Sequence, residues 1–329
     1  MSSSGRVDLT ASLAPFDGRR GALPASPALL VLAASALIAI PLIALSLLDA
    51  GGLRSIWDDV HWGETAVGAA IASALAVPGS VGRVRAVRIG GAIALCLWMI
   101  ANLIWAFLDT IGQATVPSLA DPFVFAILIP GLFFVPTSIR GRVSRAEEWA
   151  VYLDSALIFC FLAAAVFVLH GGVALDLPSG SGIIALAYPV AFIGLAGSGL
   201  VAALAVPYPL GRRGILPILA GAAAIGLAYA GWTAPTAAGI PTGPLPSVLF
   251  SVGTLIAAYG LATWRDEPSV DPRYVAVARY LSRAVGPTAA VLTFLALLPA
   301  SGARVEAILD VAVFRRWSAL PHPSGAPPP

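Results

Sequence analysis

The sequence predicts an all-α fold: a polytopic transmembrane helix bundle of eight spans, with one or two marginal helices at the C-terminal end. Three observations carry this prediction. Of 329 residues, 58% are hydrophobic and only 11% are charged, whereas an ordinary soluble domain is about 25% charged. Mean hydropathy is +0.89. Long apolar runs recur along the whole chain, and arginines fall between them in strict alternation.

The elements follow in order. Residues 1–26 are polar, carry Arg6, Arg19 and Arg20, and read as a disordered cytoplasmic N-terminus, not a cleavable signal. The transmembrane bundle is expected over 27–300. Its first run, 27–48, has about 22 residues, enough for a hydrocarbon core of roughly 30 Å. Asp58, Asp59 and Glu64 with Trp57 and Trp62 then suit an outer interface. The second run, 65–78, is short, and Arg83, Arg85 and Arg88 follow it. Runs three and four are 89–108 and 122–135, followed by Arg140, Arg142 and Arg145. Runs five and six are 149–169 and 183–206, followed by Arg212 and Arg213. Runs seven and eight are 215–232 and 245–264. A ninth run, 284–299, is marginal for a span. Residues 301–317 read as an amphipathic interfacial helix, and 318–329 as a disordered Pro-rich tail.

Arginine counts set the orientation. The N-terminus holds three, and the loops after runs two, four, six and eight hold three, three, two and four. Those after runs one, three, five and seven hold one, none, none and none. The positive-inside rule then places both ends of the eight-span unit in the cytoplasm of a cell-membrane protein.

The stretch 98–121 concentrates the chemistry. Trp98, Asn102, Trp105 and Asp109 are spaced four, three and four apart, on one helix face. Lipid cannot satisfy such a stripe, so it is expected to face protein or a water-filled cavity. Two readings stand for Asp109 and Asp121. They are helix-end carboxylates in water, with Ser118 or Asp121 capping run four and Pro122 in its first turn. Or they are the acids of an outward-facing pocket walled by Trp98, Asn102 and Trp105, suited to a cation or polar ligand through cation–π attraction. Trp105 also fits an aromatic belt. Asn102 is expected to bond to another helix. Asp154 is expected to pair with Arg140, Arg142 or Arg145, or to couple the bundle to a partner.

Other chemistry is excluded or unsupported. All 19 basic residues are arginine, which rules out Schiff-base and retinal chemistry. Cys96 and Cys160 sit in apolar segments, with no disulfide framework and no four-ligand metal site. His61, His170 and His322 are placed in loops and the tail, without a partner at ligand spacing. No zincin, serine-hydrolase or phosphate-loop motif is present, so neither an enzyme nor a cofactor is expected. Gly194, Gly197 and Gly199 read as helix-packing positions. The expected surroundings are the lipid bilayer and a membrane or cytoplasmic signalling partner, with no nucleic acid. A faint internal repeat is visible: Ala101-x3-Trp105 lies 12 residues before Pro117, and Ala228-x3-Trp232 lies 12 before Pro244. It would suit a four-plus-four parallel duplication.

The W-x3-N-x2-W stripe, the PSLAD segment at 117–121, the arginine-rich loop, YLD-SAL at 152–157 and AYP at 187–189 together resemble a known region. It is the multi-pass membrane region of actinobacterial GGDEF/EAL proteins, the membrane-bound diguanylate cyclases and cyclic-di-GMP phosphodiesterases. The resemblance covers about 88–265 and implies a sensory or regulatory input module. Three departures stand out. Val190-Ala191-Phe192 replaces an acidic residue after AYP, and Pro122-Phe123-Val124-Phe125 lacks the usual tyrosine after PSLAD. GGDEF and EAL segments are absent. The expectation is therefore an input module working without its own catalytic domain; a small transporter or channel is the alternative.

Overall fold

The computed structural model describes residues 26–140, 143–175, 177–205, 214–239 and 242–265, with isolated positions between 276 and 288. Among the described residues there is no strand. The helices are α1 (Ser26–Leu47), α2 (Arg54–Ala76), α3 (Gly82–Thr110), α4 (Asp121–Ala126), α5 (Leu128–Ile139), α6 (Arg145–Leu175), α7 (Ser179–Ala205), α8 (Ile215–Ala237) and α9 (Pro244–Thr263). The ninth run, the amphipathic segment at 301–317, the Pro-rich tail and residues 1–25 fall outside the described residues, save positions 284 and 288.

Among the described residues six helices, not eight, are long and apolar enough to cross a membrane: α1, α3, α6, α7, α8 and α9. The two expected spans that fall short do so for different reasons. The second begins a full 11 residues earlier than its apolar run, at Arg54, so α2 takes Asp58, Asp59, His61 and Glu64 into the helix. The fourth is broken into α4 and α5 at Ile127. Pro130 explains the break: it has no N–H to offer the Ala126 carbonyl four residues back, and its ring crowds that carbonyl.

The apolar helices bare large side chains outward, as on α1 at Leu30, Leu37 and Ile40. A helix apolar all round suits either a large core or a bilayer. The inner contacts are made by small residues. Gly194 and Gly197 of α7 face Phe159, Ile158 and Leu162 of α6, and Gly199 faces Leu219 of α8. Ser155 and Ser198 bond each other's backbone carbonyls across α6 and α7, at 3.3 and 2.9 Å. A capping box starts α6: Ser144 N–H donates to Glu147 at 2.8 Å, and Glu147 N–H to Ser144 Oγ at 3.3 Å.

Several landmarks of the two halves recur at a shift of 127 positions. The ends of α3 and α8 fall at 110 and 237. Gly112 and Gly239 follow with φ of 68° and 67°, and their N–H groups bond Asp109 and Thr236 at 2.9 and 3.0 Å. Glycine is required at both, because an L side chain strains at positive φ. The bounds of α2 and α7 agree with this shift to within two residues. Packing follows the same exchange: α2 lies against α9, and α7 against α5.

Arg88 locks the base of the bundle. It is 2% exposed. Its guanidinium donates to the Ala76 carbonyl at the end of α2 at 2.8 Å, and to Ala262 and Trp264 at the end of α9 at 3.0 and 3.2 Å. One cation thus satisfies carbonyls left without an intrahelical partner at two helix C-termini, where positive charge is favoured.

Candidate functional site

The predicted stripe on α3 points inward. Trp98 is buried at 4% exposure and meets Phe192, Tyr229 and Phe250 at ring distances of 6.0, 6.1 and 6.0 Å. Trp105 packs edge-on to Trp232 at 4.8 Å. These two tryptophans are the repeat-related pair, so each half sends the same residue to a shared centre. Asn102 does not reach another helix as expected. Its Nδ2 donates to the Trp98 carbonyl of its own helix at 2.8 Å, because four residues back is the nearest acceptor on an apolar face.

Trp98, Asn102 and Trp105 line one cavity of about 40 Å³, with Trp62, Tyr188, Tyr229, Trp232 and Phe250. That is room for two or three waters or a ligand of a few non-hydrogen atoms. The wall is aromatic from five helices: α2, α3, α7, α8 and α9. Phe125, Tyr188 and Tyr229 form a stack at 5.1 and 4.4 Å.

The two acids predicted to share this pocket line neither it nor each other's surroundings. Asp121 is 7% exposed and opens α4, with Ala120 in the cap position and no side chain capping the helix. Its carboxylate instead turns back, taking the Ser118 N–H at 2.8 Å and the Ser118 hydroxyl at 3.2 Å. The Tyr188 hydroxyl donates to Oδ1, the oxygen that also accepts the Ser118 hydroxyl. Asp109 is half-buried, and its carboxylate lies beside that of Asp59 on α2. Asp59 lies in the first turns of α2, before its apolar segment. Burial first, then the Asp109 and Asp58 charges, raise it well above the usual carboxylate range. Asp154 is exposed on α6 and makes no ion pair with Arg140 or Arg145, while Arg142 lies outside the described residues.

A second polar centre was missed. His61 and His170 are helical rather than in loops, and His61 is fully buried. Its Nδ1 lies 2.7 Å from Ser251 Oγ; its Nε2 lies 3.1 Å from Ser247 Oγ and 3.3 Å from Asp58 Oδ1. Ser247 donates to Asp58 at 2.5 Å, Ser46 of α1 donates to the same oxygen, and Arg54 Nε stands 3.9 Å from the other. Burial opposes ionisation of Asp58, but the bonds from His61, Ser247 and Ser46 outweigh it and hold the carboxyl below its usual range. Deeper in, Ser35 donates to Glu64 at 2.7 Å. The signal was present: Asp58, His61 and Thr65 are three and four apart, one face of a helix. The serines that complete the centre lie nearly 190 residues on, at 247 and 251. By residue type it holds a nucleophile and a base. Neither the aromatic cavity nor the larger apolar one beside α3 and α5 is lined by it, so the geometry is that of a buried clasp joining α1, α2 and α9.

His61 and Tyr188 stand 127 positions apart, at equivalent places in the two halves. His61 binds α9; Tyr188 binds α4. One junction thus carries an imidazole–serine–carboxylate clasp and the other a phenol–carboxylate bond. No family model, no curated protein and no solved structure matches the chain.

Proposed function

We propose that the chain is a cell-membrane protein of eight traverses with a cytoplasmic N-terminus, and that it is a sensory or regulatory input module. It binds a small ammonium-type cation in the aromatic cavity and passes the signal to a membrane or cytoplasmic partner, in the manner of the membrane regions of cyclic-di-GMP signalling proteins. The eight-fold count follows from taking α2 and the broken α4–α5 pair as traverses beside the six apolar helices. The alternation of arginines between runs supports it. α2 can be polar because it packs against α1, α3 and α9 rather than lipid.

The observation that carries the reading is the cavity itself. Its walls are seven aromatic side chains and one amide, with Ala101, Ala120 and Val124 between them, and both halves contribute to it. Aromatic faces attract a cation by about 0.5–2 kcal/mol each, most where water is excluded. A ligand seated between two halves changes their mutual packing, which is what an input module needs. The test is titration of the purified chain in lipid nanodiscs with ammonium, methylammonium and tetramethylammonium, read by thermal shift and tryptophan fluorescence. Trp105→Leu and Trp232→Leu should each weaken binding about ten-fold. No response to any of the three cations would end the reading.

A transporter is the second reading. The parallel duplication and the helix broken at Ile127 favour it, since both recur in transporters. Cation-dependent flux in reconstituted vesicles would select it over the first.

A further inference from the structure

A second cavity, of about 400 Å³, runs along α3 and α5 and is closed behind by α7, α8 and α9. Its wall is almost wholly apolar. On α3 it extends from Ala86 to Trp98, about 18 Å at 1.5 Å per residue, close to one leaflet of a core roughly 30 Å thick. Its rim is open: Ile93, Ile129 and Phe133 are 50%, 59% and 67% exposed. One end of this groove is charged. Arg83 lies one turn before Ala86, and Arg140 one turn after Thr137, the last lining residue of α5. The Arg83 guanidinium donates to the Arg140 carbonyl at 2.7 Å, so the two helix ends meet there. Arg85 is exposed beside them.

We infer that this groove is a binding site for one anionic phospholipid, its acyl chain lying along α3 and α5 and its phosphate at Arg83, Arg85 and Arg140. The inference rests on the membrane reading but not on the aromatic cavity or its ligand. A lateral apolar groove one leaflet long accepts hydrocarbon without loss of hydrogen bonds, and arginines at the interface attract an anionic headgroup. Trp98 borders both cavities, so an acyl chain in the groove touches the back of the aromatic wall.

The experiment uses the full chain in nanodiscs containing a photoreactive phosphatidylglycerol or the matching phosphatidylcholine, with cross-linked peptides mapped by mass spectrometry. Phosphatidylglycerol should label 86–98 and 127–137 in preference to phosphatidylcholine. Arg85→Gln and Arg140→Gln should each cut that preference roughly five-fold. Gly90→Leu should block labelling by both lipids while the fold is kept, since a Cβ at Gly90 meets Pro130 only at 3.8 Å. Equal labelling by the two lipids would overturn the inference, as would labels spread over α1 and α6. Labels on 276–329 instead of on 86–98 and 127–137 would overturn it too. Amine binding measured in Gly90→Leu keeps this outcome separate from that of the aromatic cavity.

Discussion

Replacing Gly221 by alanine tests the packing on which the cavity depends. Gly221 of α8 faces Gly253 and Ala257 of α9. A Cβ there would lie 2.5 Å from the Gly253 carbonyl oxygen, 2.6 Å from the Ala257 amide nitrogen and 2.7 Å from the Ala257 Cβ. Ordinary contact begins near 3.4 Å, so the helices must part by close to 1 Å. No flexible side chain can yield instead, because two of the three atoms are backbone. A gap of that size forfeits a quarter to a half of each neighbouring dispersion contact. Overpacking of this kind costs about 1–3 kcal/mol, or several degrees in melting temperature for a chain of this length. The control is Gly90→Ala, where the new methyl meets Pro130 at 3.8 Å. Alanine's helix propensity should there raise stability by up to about 1 kcal/mol. Both variants would be melted in the same detergent, followed by tryptophan fluorescence. If Gly221→Ala melts with or above the wild type, the close approach of α8 and α9 is wrong, and with it the position of Tyr229 and Trp232.

Two further outcomes follow from the polar groups. Burial and the neighbouring Asp109 charge hold Asp59 above the usual carboxylate range in the folded chain; the folded state therefore holds more protons above a free aspartate's pKa of about 3.9, and stability falls as pH rises through that window. Asp59→Asn should flatten the fall, which melting curves between pH 5 and 9 would reveal; identical slopes for the two proteins would exclude a protonated Asp59. Arg88→Leu should cost about 3–5 kcal/mol, since it strips three buried carbonyls of their donor, and chemical unfolding in mixed micelles would measure it; a loss below about 1 kcal/mol would mean that water or a neighbour takes over the task.

The all-helical bundle was legible because apolar length and arginine spacing are local properties of a chain. The inward turn of Trp98 and Trp105 was legible for the same reason: four- and three-residue spacing is a helix face whatever surrounds it. α2 was misread at its start because Asp58, Asp59, His61 and Glu64 look like surface residues, and what satisfies them lies elsewhere. The serines that bind His61 and Asp58 come from α9, and the partner of Asp121 is Tyr188, 67 residues away. Asp109 and Asp121 are near neighbours in sequence, but each was claimed by a different helix. The broken fourth span was foreseeable from Pro130; the repeat was visible in only three residues, and in the structure one pair of helix ends and two positive-φ glycines fall on the same shift.

The equivalence of His61 and Tyr188 has a mechanical consequence. A molecule made by copying one shape twice would answer any push evenly, both sides giving way together. Here the twin joints are made of different stuff: an imidazole among serines and a carboxylate on one, a phenol against a carboxylate on the other. The two joints differ in chemistry, so the two sides of the molecule are not interchangeable.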